Sequence, residues 1–201
     1  MATLMEQLAA SLDADTLSRL GQQAGIDKND ITGAVEAALP AILGGLTKNV
    51  GQAGGAEQLS RALQKNHDGS ILDNLGAVLG NQDLLNQGTK ILGHVFGQKQ
   101  SNVARGLGQA ANTSGDSMGQ LMAMLAPVVM GMLGKQQQQN ALSDSSLADM
   151  LGQEKQKYAS EQPQAMDFLG SLLDADGDGD VDMSDLLSKG PGLLGSLFGR
   201  K

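Results

Sequence analysis

The chain contains no cysteine and no tryptophan, and only Tyr158, Phe96, Phe168 and Phe198 carry an aromatic ring in 201 residues. Without thiols there are neither disulfides nor thiolate metal sites. With so few rings there is no platform on which nucleic-acid bases could stack. Positive charge is scarce as well: fourteen Lys and Arg stand against twenty-two Asp and Glu, a formal net charge of −8. That is the wrong sign for a phosphate backbone or an anionic lipid surface. β-branched residues never alternate with polar ones over a useful length, so strands are not expected. No secretory leader is visible, because MATLMEQLAASLDADT lacks a basic start and reaches Glu6 before any apolar run. A cytoplasmic location is the expectation.

What remains is aliphatic. Leu, Ala, Val, Ile and ten Met must build the core, and twenty-eight Gly divide the chain; such side chains suit helix packing, with Met filling irregular gaps. The chain is organised around a helix that occurs twice. Residues 20–48 and 107–135 align without a gap, Leu20, Gly21, Gln22, Ala24, Pro40, Gly44, Leu46 and Lys48 recurring as Leu107, Gly108, Gln109, Ala111, Pro127, Gly131, Leu133 and Lys135. In the first copy Ile31, Ala34, Val35, Ala38, Leu39 and Ile42 fall at helical spacing; in the second, Met118, Leu121, Met122, Leu125, Ala126 and Val129 take the same steps. Each helix contains a proline, which removes one N–H and is expected to bend it.

Along a neighbouring stripe the copies differ. Ala37, Ala41 and Gly45 make a groove of small side chains, and Met124, Val128 and Met132 make a ridge at the equivalent places. A ridge into a groove is a way for helices to cross, so these faces are candidate contacts, within one chain or between two in a homo-oligomer. The stretch Met118 to Gly134 is at the short end for a bilayer, and its repeat partner carries Glu36; no transmembrane span is expected.

In order, residues 2–12 read as a short amphipathic helix. Asp15 caps a second helix that Gly25 ends, Asp30 caps the first long helix, and Ser117 stands in the equivalent place before the second. Residues 56–65 form a further helix, His67-Asp68-Gly69-Ser70 a turn, and Asn81 opens a helix that Gly88 divides. His67 and His94, the only imidazoles, read as a turn residue and a helix-packing residue. The succession ALPAILGGL, HDGSILDNLG, GTKILGHVFG and LAPVVMGMLGKQ resembles the bacterial YidB-like family, a domain of unknown function, over roughly residues 1–135. The resemblance implies an all-helical fold, with an acidic DGDG segment near the end of many members, and implies no activity.

The organisation expected is therefore an all-α, compact multi-helix domain with its internal repeat over 1–135, a Gln/Ser-rich linker over 136–163, and a C-terminal segment over 164–201. The linker carries a marginal helix from about Ser146, with Asp149 completing a capping box. The C-terminal segment holds the one motif with chemistry, DADGDGDVDMSD. An EF-hand loop needs oxygen ligands at its first, third and fifth positions, glycine at the sixth, a carbonyl at the seventh, a polar group at the ninth and a carboxylate at the twelfth. Asp174, Asp176, Asp178, Gly179, Asp180, Asp182 and Asp185 fill these places in order. Ca²⁺ is the expected ion and Mg²⁺, which demands tighter octahedral geometry, the lesser choice. Asp rather than Glu at the twelfth place, as in loops that resemble the dockerin type, reaches the ion less easily. Pro191 to Lys201 forms an apolar tail that either docks on the chain's own core or meets a partner. The function expected is non-enzymatic: calcium binding with a binding or self-assembly role. Its alternatives are a helical scaffold whose acidic loop is only a linker, and a metal-dependent enzyme.

Overall fold

The computed structural model describes residues 4–163 together with Gly170, and all regular structure among them is helical. The order is α1 (Leu4–Ser11), α2 (Ala14–Ala24), α3 (Ile31–Val50), α4 (Gly55–Asn66), a 3₁₀ turn (Ser70–Asn74), α5 (Leu75–Val78), α6 (Gln82–Phe96), a second 3₁₀ turn (Gly97–Lys99), α7 (Gln100–Ala110), α8 (Gly115–Gln139) and α9 (Asp144–Glu161). The all-α class read from the periodicity is the fold observed.

α8 is the axis of the molecule. Helices α1, α2, α3, α4, α6 and α7 all pack on it, and Met118, Leu121, Met122, Met124, Leu125 and Leu133 are wholly buried. It is long and apolar enough to cross a membrane, yet 83% of its most apolar 18-residue stretch is buried inside the fold. That burial explains its composition: a helix surrounded by others is hydrophobic all round.

The sequence repeat is a structural repeat of two helical hairpins, α2–α3 and α7–α8. Each first helix ends in the same turn. Gly25 and Asn112, at equivalent positions, both adopt the left-handed conformation, with φ of 67° and 54°. The next residue then bonds back across the helix end, Ile26 N–H to Gly21 O and Thr113 N–H to Gly108 O, both at 2.8 Å; this satisfies a terminal carbonyl in the manner of a Schellman cap. The two turns also meet reciprocally. Ser117 Oγ donates to Gly25 O at 3.4 Å, and Asn112 Nδ2 donates to Asp30 Oδ2 at 3.5 Å. Position 112 matches 25 and position 117 matches 30, so each copy presents to the other what it receives, the hallmark of a two-fold relation.

Several boundaries depart from expectation. α2 is capped by Asp13, whose carboxylate accepts from Thr16 N–H at 2.8 Å, rather than by Asp15. Asp30 occupies the cap position of α3 without a side-chain capping bond. α8 starts at Gly115, two residues before Ser117, and is capped by Ser114, because Ser114 Oγ can accept from Ser117 N–H at 3.0 Å. Both long helices run unbroken through Pro40 and Pro127.

Gly88 does not divide α6. It lies inside the helix at the closest approach to α8, where a Cβ would overlap the Ala123 carbonyl oxygen. Both faces of the groove-and-ridge reading take part in the chain's own packing. α3 does pack on α8, but a Cβ on Gly45 would run into Val95 and Phe96 of α6. Ala41, Gly45, Met124, Val128 and Met132 are buried by the chain's own elements, and Ala37 is half-buried.

The stretch 136–163 differs most from its reading as a linker. Its first residues continue α8 to Gln139, and α9 starts at Asp144, capped by Ser143 rather than Ser146. α9 packs on α3 and α4, with Leu147 and Leu151 fully buried and Tyr158 partly so. Ala148, Met150 and Tyr158 pack against the core beside these two leucines, and such tertiary packing is what holds a helix of this length. A buried hydrogen bond from Gln137 Nε2 to Ser60 Oγ, 2.6 Å, joins α8 to α4 nearby.

The glycines of α6 give a paired test. Gly88→Ala should cost about 3 kcal/mol, since a backbone rather than a flexible side chain must yield. Gly93→Ala, on the same helix with nothing near its would-be Cβ, should stabilise by about 0.5–1 kcal/mol. Urea denaturation of both variants checks the contrast.

Candidate functional site

The six carboxylates of the expected calcium loop, Asp174, Asp176, Asp178, Asp180, Asp182 and Asp185, lie outside the described residues, as does the tail beyond them. Among the described residues no group of three or more His, Asp or Glu is placed to hold a metal ion.

The helical domain has a site of a different kind. The end of α3, the start and body of α4 and the last turns of α6 enclose a cleft of about 720 Å³ floored by Met130 of α8. Its shape follows from local sequence. Gly54, in the left-handed conformation, caps α4 at the end of a short turn after α3, and a Cβ on Gly55 would overlap the Asn49 carbonyl, so the two helices diverge from a tight corner. Asn49 ties the far side, its amide donating to the carbonyls of His94 at 2.9 Å and Val95 at 3.3 Å. Those carbonyls end α6 and would otherwise lack helical partners. At the other end, the turn after α4 is pressed onto α8: a Cβ on Gly134 would overlap the His67 carbonyl, and Gly69, at φ 96°, rests against Lys135 and the Gly131 carbonyl. The glycines of GMLGK thus set where His67 stands.

Leu46, Val50, Leu59, Val95 and Met130 give the cleft a buried apolar lining, and Asn49, Gln52, Gln58, Asn66 and Gln87 give it neutral amides. Lys90, His67 and His94 are its titratable groups; the described lining holds no carboxylate, hydroxyl or thiol. Both histidines therefore belong to one cleft, His94 exposed and His67 half-buried, although they come from different elements. Burial holds the His67 imidazole below the usual 6.5, and the neighbouring Asp68 only partly opposes this. Asp68 itself is kept below the ordinary carboxylate range by hydrogen bonds from the Ser70 side chain and N–H.

A second, much smaller recess lies where α9 crosses α3, lined by Pro40, Leu43, Gly44, Thr47, Glu154, Lys155 and Tyr158. Burial and then the charge of Glu36 raise the Tyr158 hydroxyl above its usual 10.0. With room for about 20 Å³, it is a packing gap.

Fold and cleft together define an all-helical domain built from a duplicated hairpin around one buried helix, with an amphipathic recess on one side. A family model described as "Bacterial protein of unknown function (DUF937)" matches residues 6–136. The chain belongs to that family. No curated protein and no solved structure matches it.

Depression of the His67 pKa has a definite sign. The unfolded chain takes up the proton near 6.5 while the folded one resists it, so this contribution to stability is full above 6.5 and is lost as pH falls through the window below it. Urea midpoints should therefore decline between pH 7.5 and 5.5, and His67→Gln should flatten that slope.

Proposed function

We propose that this family member, YidB-like in its GHVFG and LAPVVMGMLG segments, is a non-enzymatic binding protein: its cleft accepts a ligand and its segment 174–185 takes Ca²⁺. The observation that carries the reading is the chemistry of the cleft. Apolar side chains and neutral amides dominate it, and no hydroxyl, thiol or carboxylate accompanies its imidazoles and Lys90 among the described lining residues. Nucleophilic or acid–base catalysis relies on a reactive group oriented by a partner; shape, apolar contact and a few placed polar groups suffice for binding.

Support for calcium comes from the donor set. Six carboxylates, a glycine at the sixth place and Val181 at the eighth reproduce an EF-hand loop position by position. Carboxylates at this density repel one another unless a cation offsets their charge. Asp185 in the twelfth place points to an affinity in the weaker part of the EF-hand range. The loop follows α9 in the chain, and α9 is anchored on α3 and α4, so the ion-binding segment is tethered to the helical domain. A calcium-promoted assembly would use this C-terminal segment, since the helix faces considered from sequence are buried.

Calorimetric titration of the full chain with Ca²⁺ should give heat that disappears in Asp176→Ala/Asp178→Ala, and chelation with EDTA should reverse it. No heat up to several millimolar Ca²⁺ would make the acidic segment a linker. Light scattering during chromatography, with and without Ca²⁺, reads the assembly role: an unchanged mass removes it.

A further inference from the structure

Resting on the reading of the cleft as a binding site, we propose that its ligand is a free amphiphile with an aliphatic chain and a single carboxylate head, the chain lying over the Met130 floor and the head beside Lys90 and His94. Three observations converge. First, the chain carries a net charge of −8, yet the described lining of this cleft contains no Asp or Glu and its one permanent charge is the Lys90 ammonium. The local sign is opposite to that of the whole molecule, which suits an anion.

Second, the apolar part of the lining is continuous in kind. Leu46, Val50, Leu59, Val95 and Met130 make a close-packed apolar base, and the half-buried Ala62 and Ile91 add more accessible apolar surface beside it. A volume of about 720 Å³ falls within the range of roughly 300–1,000 Å³ typical of small-ligand sites. Aliphatic walls and a methionine floor suit a flexible alkyl chain, because Met adapts its shape at little cost.

Third, the lining is unsuited to other anions. No Phe, Tyr or Trp is among the described residues that border the cleft, and a nucleotide base needs a ring to stack on. The described lining holds no arginine to grip a phosphate by two parallel hydrogen bonds. A single ammonium with imidazole and amide donors is what one carboxylate can use.

The two imidazoles make the test direct, since His67 and His94 are the only histidines in the chain and both line the cleft. Their ring proton resonances are followed in the full-length protein during titration, below micelle formation, with dodecanoate, dodecyltrimethylammonium and dodecyl maltoside, which share one chain length. Dodecanoate should move both imidazole signals to saturation at one molecule per chain. Dodecyltrimethylammonium should fail, and dodecyl maltoside, with the same chain and a neutral head, should bind at least tenfold more weakly. Lys90→Glu should weaken dodecanoate binding tenfold or more, and Lys90→Gln less, with the urea midpoint unchanged because Lys90 is exposed. If the cationic amphiphile bound as well as dodecanoate, or Lys90→Glu changed nothing, the carboxylate assignment would fall while the cleft remained a binding site. If no amphiphile moved either imidazole signal, the reading of the cleft as a binding site would fall with it.

Discussion

The contact between α8 and the backbones laid against it is the constraint on which the domain depends. A helix can be surrounded on all sides only if some neighbours approach more closely than ordinary side chains permit. Gly88 lets α6 rest on the Ala123 carbonyl, and Gly134 lets the His67 carbonyl rest on α8. Removing a side chain at these points brings backbones together and leaves the interior filled by the larger residues around them. The cleft is a by-product of the same arrangement. α6 is held close to α8 at Gly88, the turn after α4 is held close at Gly134, and the space between α4 and the end of α6 stays open above Met130.

The duplicated hairpin gives that arrangement its symmetry and its asymmetry. Reciprocal contacts between the two turns, Ser117 with Gly25 and Asn112 with Asp30, show the hairpins facing one another as the halves of a dimer would. Away from the turns the copies are covered differently. Gly131 lies under Ile71 of the 3₁₀ turn, whereas the equivalent Gly44 borders the small recess beneath α9. One copy became the centre of the domain and the other part of its wall. Their residues record this: α8 is buried around most of its circumference, while α3 keeps Glu36 and Lys48 exposed.

Much of the helical framework was legible in the sequence because helix periodicity and caps are local. The apolar faces of α3 and α8 and the stop at Gly25 needed only residues within a few positions of one another. The start of α8 was misplaced because Ser114 and Ser117 are both competent caps, and the choice depends on the preceding turn. Gly88 read as a break because a glycine in a helix resembles one until the neighbouring backbone is known. Likewise α9 reads as a marginal helix in a linker because Leu147, Met150, Leu151 and Tyr158 are sparse among polar residues, and their worth comes from α3 and α4. For the site the division is sharper. The acidic loop is wholly a matter of spacing between neighbours, whereas the cleft gathers residues from α3, α4, α6 and α8, and no local pattern joins His67 to His94.

The place of Tyr158 has a consequence for how this molecule can be observed. It is the single tyrosine in a chain without tryptophan, and it is half-buried where α9 meets the Pro40–Thr47 side of α3. Nearly all the intrinsic ultraviolet emission of the protein therefore arises at one seam, between the helix that leads toward the acidic segment and the domain that holds the cleft. Quenching or spectral change there reports the seating of α9, with no added dye and no competing signal from the aliphatic core.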